Sequence, residues 1–363
     1  MSNLTYSDLQ TPDGTRQRIK QSLDDLSVRG AVGQLSTAMY DTMYGINHRQ
    51  TPNSVPINKD YYGLTFFTKP NMNMRLDNLR QVRQFIPLLT TEQNSMGRAI
   101  RAMLDHEAGL PDVPHSTPLV DNFQAFIPIL TNQLESISGW PDVNVPYFTT
   151  KPGAYGEEVS FVDGEVRINR AYDIRANFRN LQGDPITNLF HYWIWYQSMV
   201  FQGICVPYMK YIIQNTVDYN TRIYRLVLDE SRQYVQKIAA CGAAFPIDCP
   251  IGNAFNFDSD GPINRANDKI TITFHCNGAM YQDPILIYEF NQTVGGCNSK
   301  MVGTDADRAR YYKKLNPVEA QVLNHRGYPN IDPETYELQW WVPIDEYNTL
   351  IGNASTNDVL ADF

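Results

Sequence analysis

The sequence predicts an α+β fold in which an antiparallel sheet carries one covered helix and follows a mostly helical N-terminal region. Three observations point to it. From Val166 the even positions read Val166, Ile168, Arg170, Tyr172, Ile174, Ala176 and Phe178, while the odd ones read Arg167, Asn169, Ala171, Asp173, Arg175, Asn177 and Arg179. One apolar row alternating with one polar row is the period of a half-buried strand, here expected from Glu165 to Asn180. Lys269 to Cys276 alternates in the same way, with Ile270, Ile272 and Phe274 inward and Thr271, Thr273 and His275 outward. Between them, no Asp, Glu, Lys or Arg occurs from Pro185 to Met209. A helix without charge on its outer face must be covered on most sides.

Taken in order, residues 1 to 45 read as helix, with Asp13 as cap and Ile19, Leu23 and Leu26 on one face. Positions 47 to 60 form a proline-bearing loop, and Leu64 to Phe67 a short strand. A helix is expected to open at Thr90-Thr91-Glu92 and to carry Met96, Ile100, Met103 and Leu104; another covers Phe123 to Ile137, with Pro128 kinking or ending it. Asp163-Gly164, preceded by Val159 and Phe161, signals a two-residue hairpin into the long strand. Asp184-Pro185 then supplies an N-cap and the helical position that tolerates proline, and Gly203 a stop. Arg222 to Asp229 and Tyr234 to Ala240 read as a strand pair, and Ile285 to Phe290 as a further strand. A short basic helix is expected around Asp305 to Leu315, then an apolar patch at Leu338 to Val342 and a polar tail. The organisation that follows is 1–142 as N-terminal extension, 143–298 as β domain with its helix, and 299–363 as C-terminal extension.

The chain of 363 residues carries a net charge of −9. That balance argues against a general nucleic-acid binder, which needs a basic surface for phosphate. No segment has signal-peptide or membrane-span character. Five widely spaced cysteines (Cys205, Cys241, Cys249, Cys276, Cys297) suit buried reduced thiols. The triplets at Asn3, Asn291 and Asn353 are chance matches to a glycosylation pattern in a chain without an export signal.

Chemistry-bearing patterns are sparse. There is no phosphate-binding glycine loop, no G-x-S-x-G, no H-E-x-x-H and no C-x-x-C. Asp258-x-Asp260-Gly261 resembles the start of a calcium loop, but its twelfth position is Lys269 and its glycine comes too early, so a capped turn is the better reading. His275 and Cys276, adjacent on a strand, leave opposite faces and do not share an ion. His191 among Tyr192, Trp193 and Trp195 reads as a structural histidine, and Asp105-His106-Glu107 as a solvated helix end. No catalytic residue, metal or cofactor is expected. An aromatic ligand pocket built from Phe190, Trp193, Trp195, Tyr196, Phe201, Tyr208 and Tyr211 is the alternative from another class, though such a stripe is more often core or subunit interface.

The central stretch resembles the tail tube proteins of contractile-tailed bacteriophages. The resemblance rests on the strand EVRINRAYDIRANFRN, the link QGDP, the helix ITNLFHYWIWYQSMVFQG, the pair RIYRLVLDESRQYVQKI, the turn AAFPIDCP and the strand KITITFHC followed by PILIYEF. It covers about 143 to 292; YYGLTFFTKPNMNMRLDNL and DNFQAFIPILTNQLESISGWPDV also look like text from structural proteins of large tailed phages. It implies an antiparallel β-barrel or sandwich with the helix packed outside, and a virion protein assembled in the host cytoplasm. Hexameric rings would stack into the inner tube of a contractile tail, contact sheath and baseplate proteins, and let DNA pass without binding it specifically. A tube initiator, cap, baseplate or neck component forming a single ring is the alternative within that fold. Phe190, Trp193, Ile194, Tyr172, Ile174 and Phe178 are then the candidates for barrel packing or subunit contact. Arg167, Asn169, Asp173, Arg175, Asn177 and Arg179 are the candidates for a lumen or an inter-ring surface.

Overall fold

The computed structural model describes residues 62–107, 117–168, 170–256, 259–260 and 268–356. The expected helix over 1 to 45, the loop at 47 to 60, most of the 110–119 loop, Asp258 and Asn169 lie outside the described residues.

The first described strand is β1 (Tyr62–Phe67), followed by α1 (Leu76–Leu79), a 3-10 turn at Arg83–Leu89 and α2 (Met96–Leu104). Helix α2 starts later than the Thr90-Thr91-Glu92 signal because Ser95 is its cap, accepting from the Arg98 amide. The expected helix over 123 to 137 is instead a short α3 (Pro128–Asn132) followed by β2 (Leu134–Ser138). Pro128 sits in the first turn of α3, and Leu134 to Ser138 are drawn into a ladder with the next long strand. A neighbouring edge has overridden local propensity.

Among the described residues, strands β3 (Tyr147–Thr149) and β4 (Ser160–Val162) pair only with each other. The Asp163-Gly164 turn therefore does not join a hairpin to the long strand: β4 pairs backward with β3. The long strand itself, β5 (Ala171–Arg179), starts six residues later than its alternation suggested (171 against 165). Residues 165 to 168 keep the pattern but fall outside the regular ladder, although the Ala279 amide still donates to the Ile168 carbonyl.

Helix α4 (Pro185–Phe201) occupies the expected span. Asp184 precedes it in left-handed backbone, φ 52°, and its carboxylate accepts from Asn180 rather than capping the helix. Next come α5 (Met209–Gln214), β6 (Ile223–Leu228), β7 (Val235–Pro246) and β8 (Lys269–Tyr281). The expected strand at Ile285 to Phe290 is a helix, α6 (Ile285–Cys297). A short apolar run does not reveal its own period; the Asp283 carboxylate accepts from the Ile285 amide at the first turn. Beyond it, α7 (Asp305–Arg308) is one turn closed by a capping box from Thr304 and Asp307. The rest of the expected 305–315 helix becomes β9 (Tyr312–Lys314), paired to the third strand of a small sheet. That sheet is completed, after α8 (Pro317–Val322), by β10 (Tyr328–Ile331) and β11 (Leu338–Pro343), and α9 (Ile344–Thr356) follows.

The main sheet has the order β1-β6-β7-β8-β5-β2, every neighbouring pair antiparallel. Strands from both sides of residue 142 therefore share one sheet. The segment between its edges touches both: Thr68 bridges to Phe126, and Leu134 begins the ladder on β5. A short helix separates these contacts, so the described residues form an open sheet and no closed barrel.

One face of the sheet is covered by α4 and the N-terminal helices. Ile174, Ala176 and Phe178 of β5 and Ile270, Ile272 and Phe274 of β8 meet Ile186, Leu189, Phe190 and Trp193 of α4 there. The rings of Phe67, Phe178, Phe190 and Phe274 lie 5.6 to 5.8 Å apart. On the other face, Phe66, Tyr224 and Leu226 of β1 and β6 are covered by Leu286, Ile287 and Phe290 of α6 and by Trp341 of the small sheet. That cover stops before β5, which leaves one solvent-facing polar surface.

Beside α4 lies a buried acid. Asp218 accepts from the Tyr196 hydroxyl at 2.5 Å, and burial pushes its carboxyl above the ordinary range, an effect the Tyr196 hydrogen bond partly offsets. A folded state that holds a proton more tightly than the unfolded chain gains stability at low pH. That gain is full below the unfolded pKa and lost as pH rises through the folded one. As pH rises from about 4, the unfolded value, through the raised folded one, the wild-type Tm should therefore carry a downward contribution that Asp218→Asn removes, since asparagine still accepts from Tyr196. Thermal melts of both proteins across that window check this; parallel curves would contradict it.

Candidate assembly surface

The polar surface is built on β5, β8 and β2. Alternation along β5 turns Asp173, Arg175, Asn177 and Arg179 away from the core, and their registered partners on β8 are His275, Thr273, Thr271 and Lys269. The rows are tied across the strands. His275 Nδ1 lies 2.8 Å from the Asp173 carboxylate. Thr271 donates to the Asn177 side-chain oxygen at 2.6 Å, and the Asn177 amide donates to Ser136 of β2 at 2.7 Å. Lys269 pairs with Glu135 at 2.7 Å, which raises the lysine pKa. Thr273 gives both its amide and its hydroxyl to Asp248, at 2.6 and 2.8 Å. Such cross-strand pairs give the polar side chains of an uncovered sheet face their partners.

The expected polar row is thus on one face, with Asp173, Arg175 and Arg179 exposed and Asn177 half-buried. Arg167 is exposed too but lies before the strand, where its amide donates to the Asn144 carbonyl. Of the packing candidates, Ile174, Phe178, Phe190 and Trp193 are fully buried within the chain, while Tyr172 and Ile194 are half-buried. The Trp193 indole donates to the Tyr219 carbonyl at 2.9 Å and stacks on Phe190. The aromatic ligand pocket is not formed: Phe190, Trp193 and Tyr196 are core, and Phe201 points into solvent.

Sequence reasoning missed Asp248 and Glu135. Each lies on a segment that only tertiary pairing brings to this face, although the turn AAFPIDCP had marked the neighbourhood of Asp248. It also missed the exposure of β3 and β4, whose six residues are all exposed. Among the described residues no group of three or more His, Cys, Asp or Glu is placed to hold a metal ion. His191 packs against Tyr192 and Trp195, and burial lowers its pKa. His275 and Cys276 do leave opposite faces, with Cys276 in the core.

A family model described as "Putative phage tail tube protein" matches residues 11–357. The chain belongs to this phage tail tube family. Three structures determined by cryo-EM are similar to it. The anti-feeding prophage cap (AFP tube terminating cap) matches at 15% identity and TM-score 0.26, over 43% of this chain and 81% of its own. The sheath/tube terminator of PVC, an extracellular contractile injection system, in its extended state matches at 14% identity and TM-score 0.24, over 44% and 87%. The PVC sheath-tube complex in the extended state matches at 16% identity and TM-score 0.26, over 43% and 82%. No curated protein matches the chain.

For a tail tube protein, the edges of the main sheet matter as much as its face. Among the described residues β2 pairs only with β5, and β1 pairs only with β6 apart from its Phe126 bridge beyond Phe67. No described helix is long and apolar enough to cross a membrane.

Proposed function

We propose that this tail tube family member is a structural virion protein whose copies form hexameric rings stacking into the inner tube of a contractile tail. The observation that carries the reading is the open polar face of β2, β5 and β8, together with β1 and β2, which among the described residues end the sheet with no further strand beyond them. An open edge invites pairing with another copy, and a ring of copies removes all such edges at once. The barrel that one chain does not close is then closed between chains. Its wetted wall is the row from Asp173 to Arg179, with the helix α4 layer outside. A wall of hydrogen-bonded threonine, asparagine and mixed charge, in a subunit of net charge −9, gives DNA little to bind as it passes. Sheath and baseplate proteins are the proposed partners on the outside and at the ends.

Electron microscopy of the purified protein tests this. Six-fold rings that lengthen into tubes with concentration are the expected result. A monomer at all concentrations would overturn the proposal, and six-fold rings that never stack would favour a cap or initiator.

A further inference from the structure

The side of β1 that looks toward the small sheet carries Tyr62, Leu64 and Phe66, because alternate side chains of a strand share a face. Opposite them stand Trp340 of β11 and the turn that closes α8, and the segment leading into α3 forms a third wall. Between these walls lies a cavity of about 760 Å³. Small-molecule sites measure about 300–1,000 Å³. The cavity shares no lining residue with the polar face on β5 and β8 or with the layer under α4.

Its aromatic rings are fixed by contacts within the chain. Phe66 and Phe126 are buried at its base, 4.9 Å apart. Phe66 lies 6.4 Å from Trp340, and the His325 imidazole packs nearly edge-on to that indole at 5.5 Å. The Arg232 guanidinium sits 4.2 Å from the centre of the Tyr62 ring. Tyr62 and Trp340 are only half-buried, so both keep ring surface open to solvent. The turn after α8 adds backbone strain. Asn324, φ 51°, takes the left-handed conformation that ends many helices, and the Asn324 and His325 amides donate back to the Gln321 and Ala320 carbonyls. His325 repeats that conformation, φ 54°, which the helix end does not require. Non-glycine residues held in this way gather at ligand clamps.

The charges around the cavity are already paired. Glu346 meets Arg326 at 2.8 Å, and Asp121 accepts from the Phe123 amide at 2.9 Å and the Tyr328 hydroxyl at 2.7 Å. Burial, with Arg232 nearby, lowers the His325 pKa, so the imidazole is neutral at neutral pH. The rim adds two exposed neutral amides, Asn132 at the end of α3 and Asn324 in the turn. An ionic ligand would have to break the existing pairs. A peptide strand added to β1 would meet an edge partly in use, since the Phe67 carbonyl accepts from the Ile127 amide and Thr65 is buried. A sugar ring suits these walls better. Its C–H face lies on an aromatic ring, and its hydroxyls both donate to and accept from amides.

We propose that this cavity binds a short segment of a neutral polysaccharide, stacked on Tyr62 and Trp340 and hydrogen-bonded by Asn132 and Asn324. The site lies within one copy, so it operates whether or not rings form.

Isothermal titration calorimetry of the full chain with maltotriose, cellotriose, tri-N-acetylchitotriose and glucose tests this. At least one trisaccharide should bind saturably with a Kd of about 1 mM or below, and more tightly than glucose, because the cavity is larger than one sugar ring. Trp340→Ala should abolish that binding. Asn324→Gly should weaken it about threefold or more without lowering Tm, since glycine suits the left-handed turn. This second variant decides the matter if Trp340→Ala misfolds. Phe201→Ser, at the exposed end of α4, should bind like the wild type. No saturable binding by any of the three trisaccharides would overturn the proposal. So would binding that Asn324→Gly leaves unchanged, or that Phe201→Ser removes. A proline-rich peptide that binds with the same dependence on Trp340, while the sugars do not bind, would overturn it in favour of a protein partner.

Discussion

Replacing Trp193 by glutamate should leave no folded protein to assemble. The indole is fully buried, donates to the Tyr219 carbonyl and stacks on Phe190 inside the layer between α4 and the sheet. Losing an aromatic side chain of this kind costs about 3–5 kcal/mol, and a buried charge without a partner adds several more, of order 3–5 kcal/mol. Domains of this kind are stable by about 5–15 kcal/mol in total. Circular dichroism and solubility after expression check the outcome. A soluble, cooperatively melting Trp193→Glu protein would show that the helix does not sit where the structure places it. Trp193→Phe, which keeps the ring but loses the carbonyl contact, should remain folded with a loss of about 1–2 kcal/mol.

A single alanine inserted after Arg175 should be nearly as damaging. Side chains alternate along a strand, so the insertion moves every later residue to the opposite face. Asn177 would enter the position of Phe178, which packs on Phe67 and Phe190, and Phe178 would turn into solvent. Exposing a phenylalanine and burying an unpaired amide each cost roughly 2–3 kcal/mol. A bulge is the strand's usual escape, but β5 is paired on both sides, so a bulge there breaks two ladders. The same alanine placed after Ala171 should be tolerated, because that point is the first residue of β5, where the connecting arm absorbs an extra residue. Urea unfolding of both insertions gives the comparison, and equal stability would mean that the rows of β5 do not set its register.

The two insertions mark the boundary between what local pattern reveals and what it hides. Alternation identified which side chains of β5 and β8 face the core and which face water, because a period of two is imposed by the backbone whatever lies nearby. The absence of charge from Pro185 to Met209 likewise located a helix that packs on the sheet, although its outer side is only half-buried and Phe201 and Met209 are exposed. The ends of the strand were not legible in the same way. Residues 165 to 168 continue the alternation, yet a strand exists only where a neighbour accepts its hydrogen bonds, and the neighbour is β8, almost a hundred positions later.

Sequence by itself therefore determined the polar row, the packed row and the helix that covers it, together with the family likeness those segments carry. Only the tertiary structure decided that Leu134 to Ser138 is an edge strand, that Ile285 to Cys297 is a helix, and that β3 and β4 form an arm. Each of these is a short segment whose local preferences are nearly balanced, so the deciding free energy is the ladder or apolar face offered by residues far away in the chain.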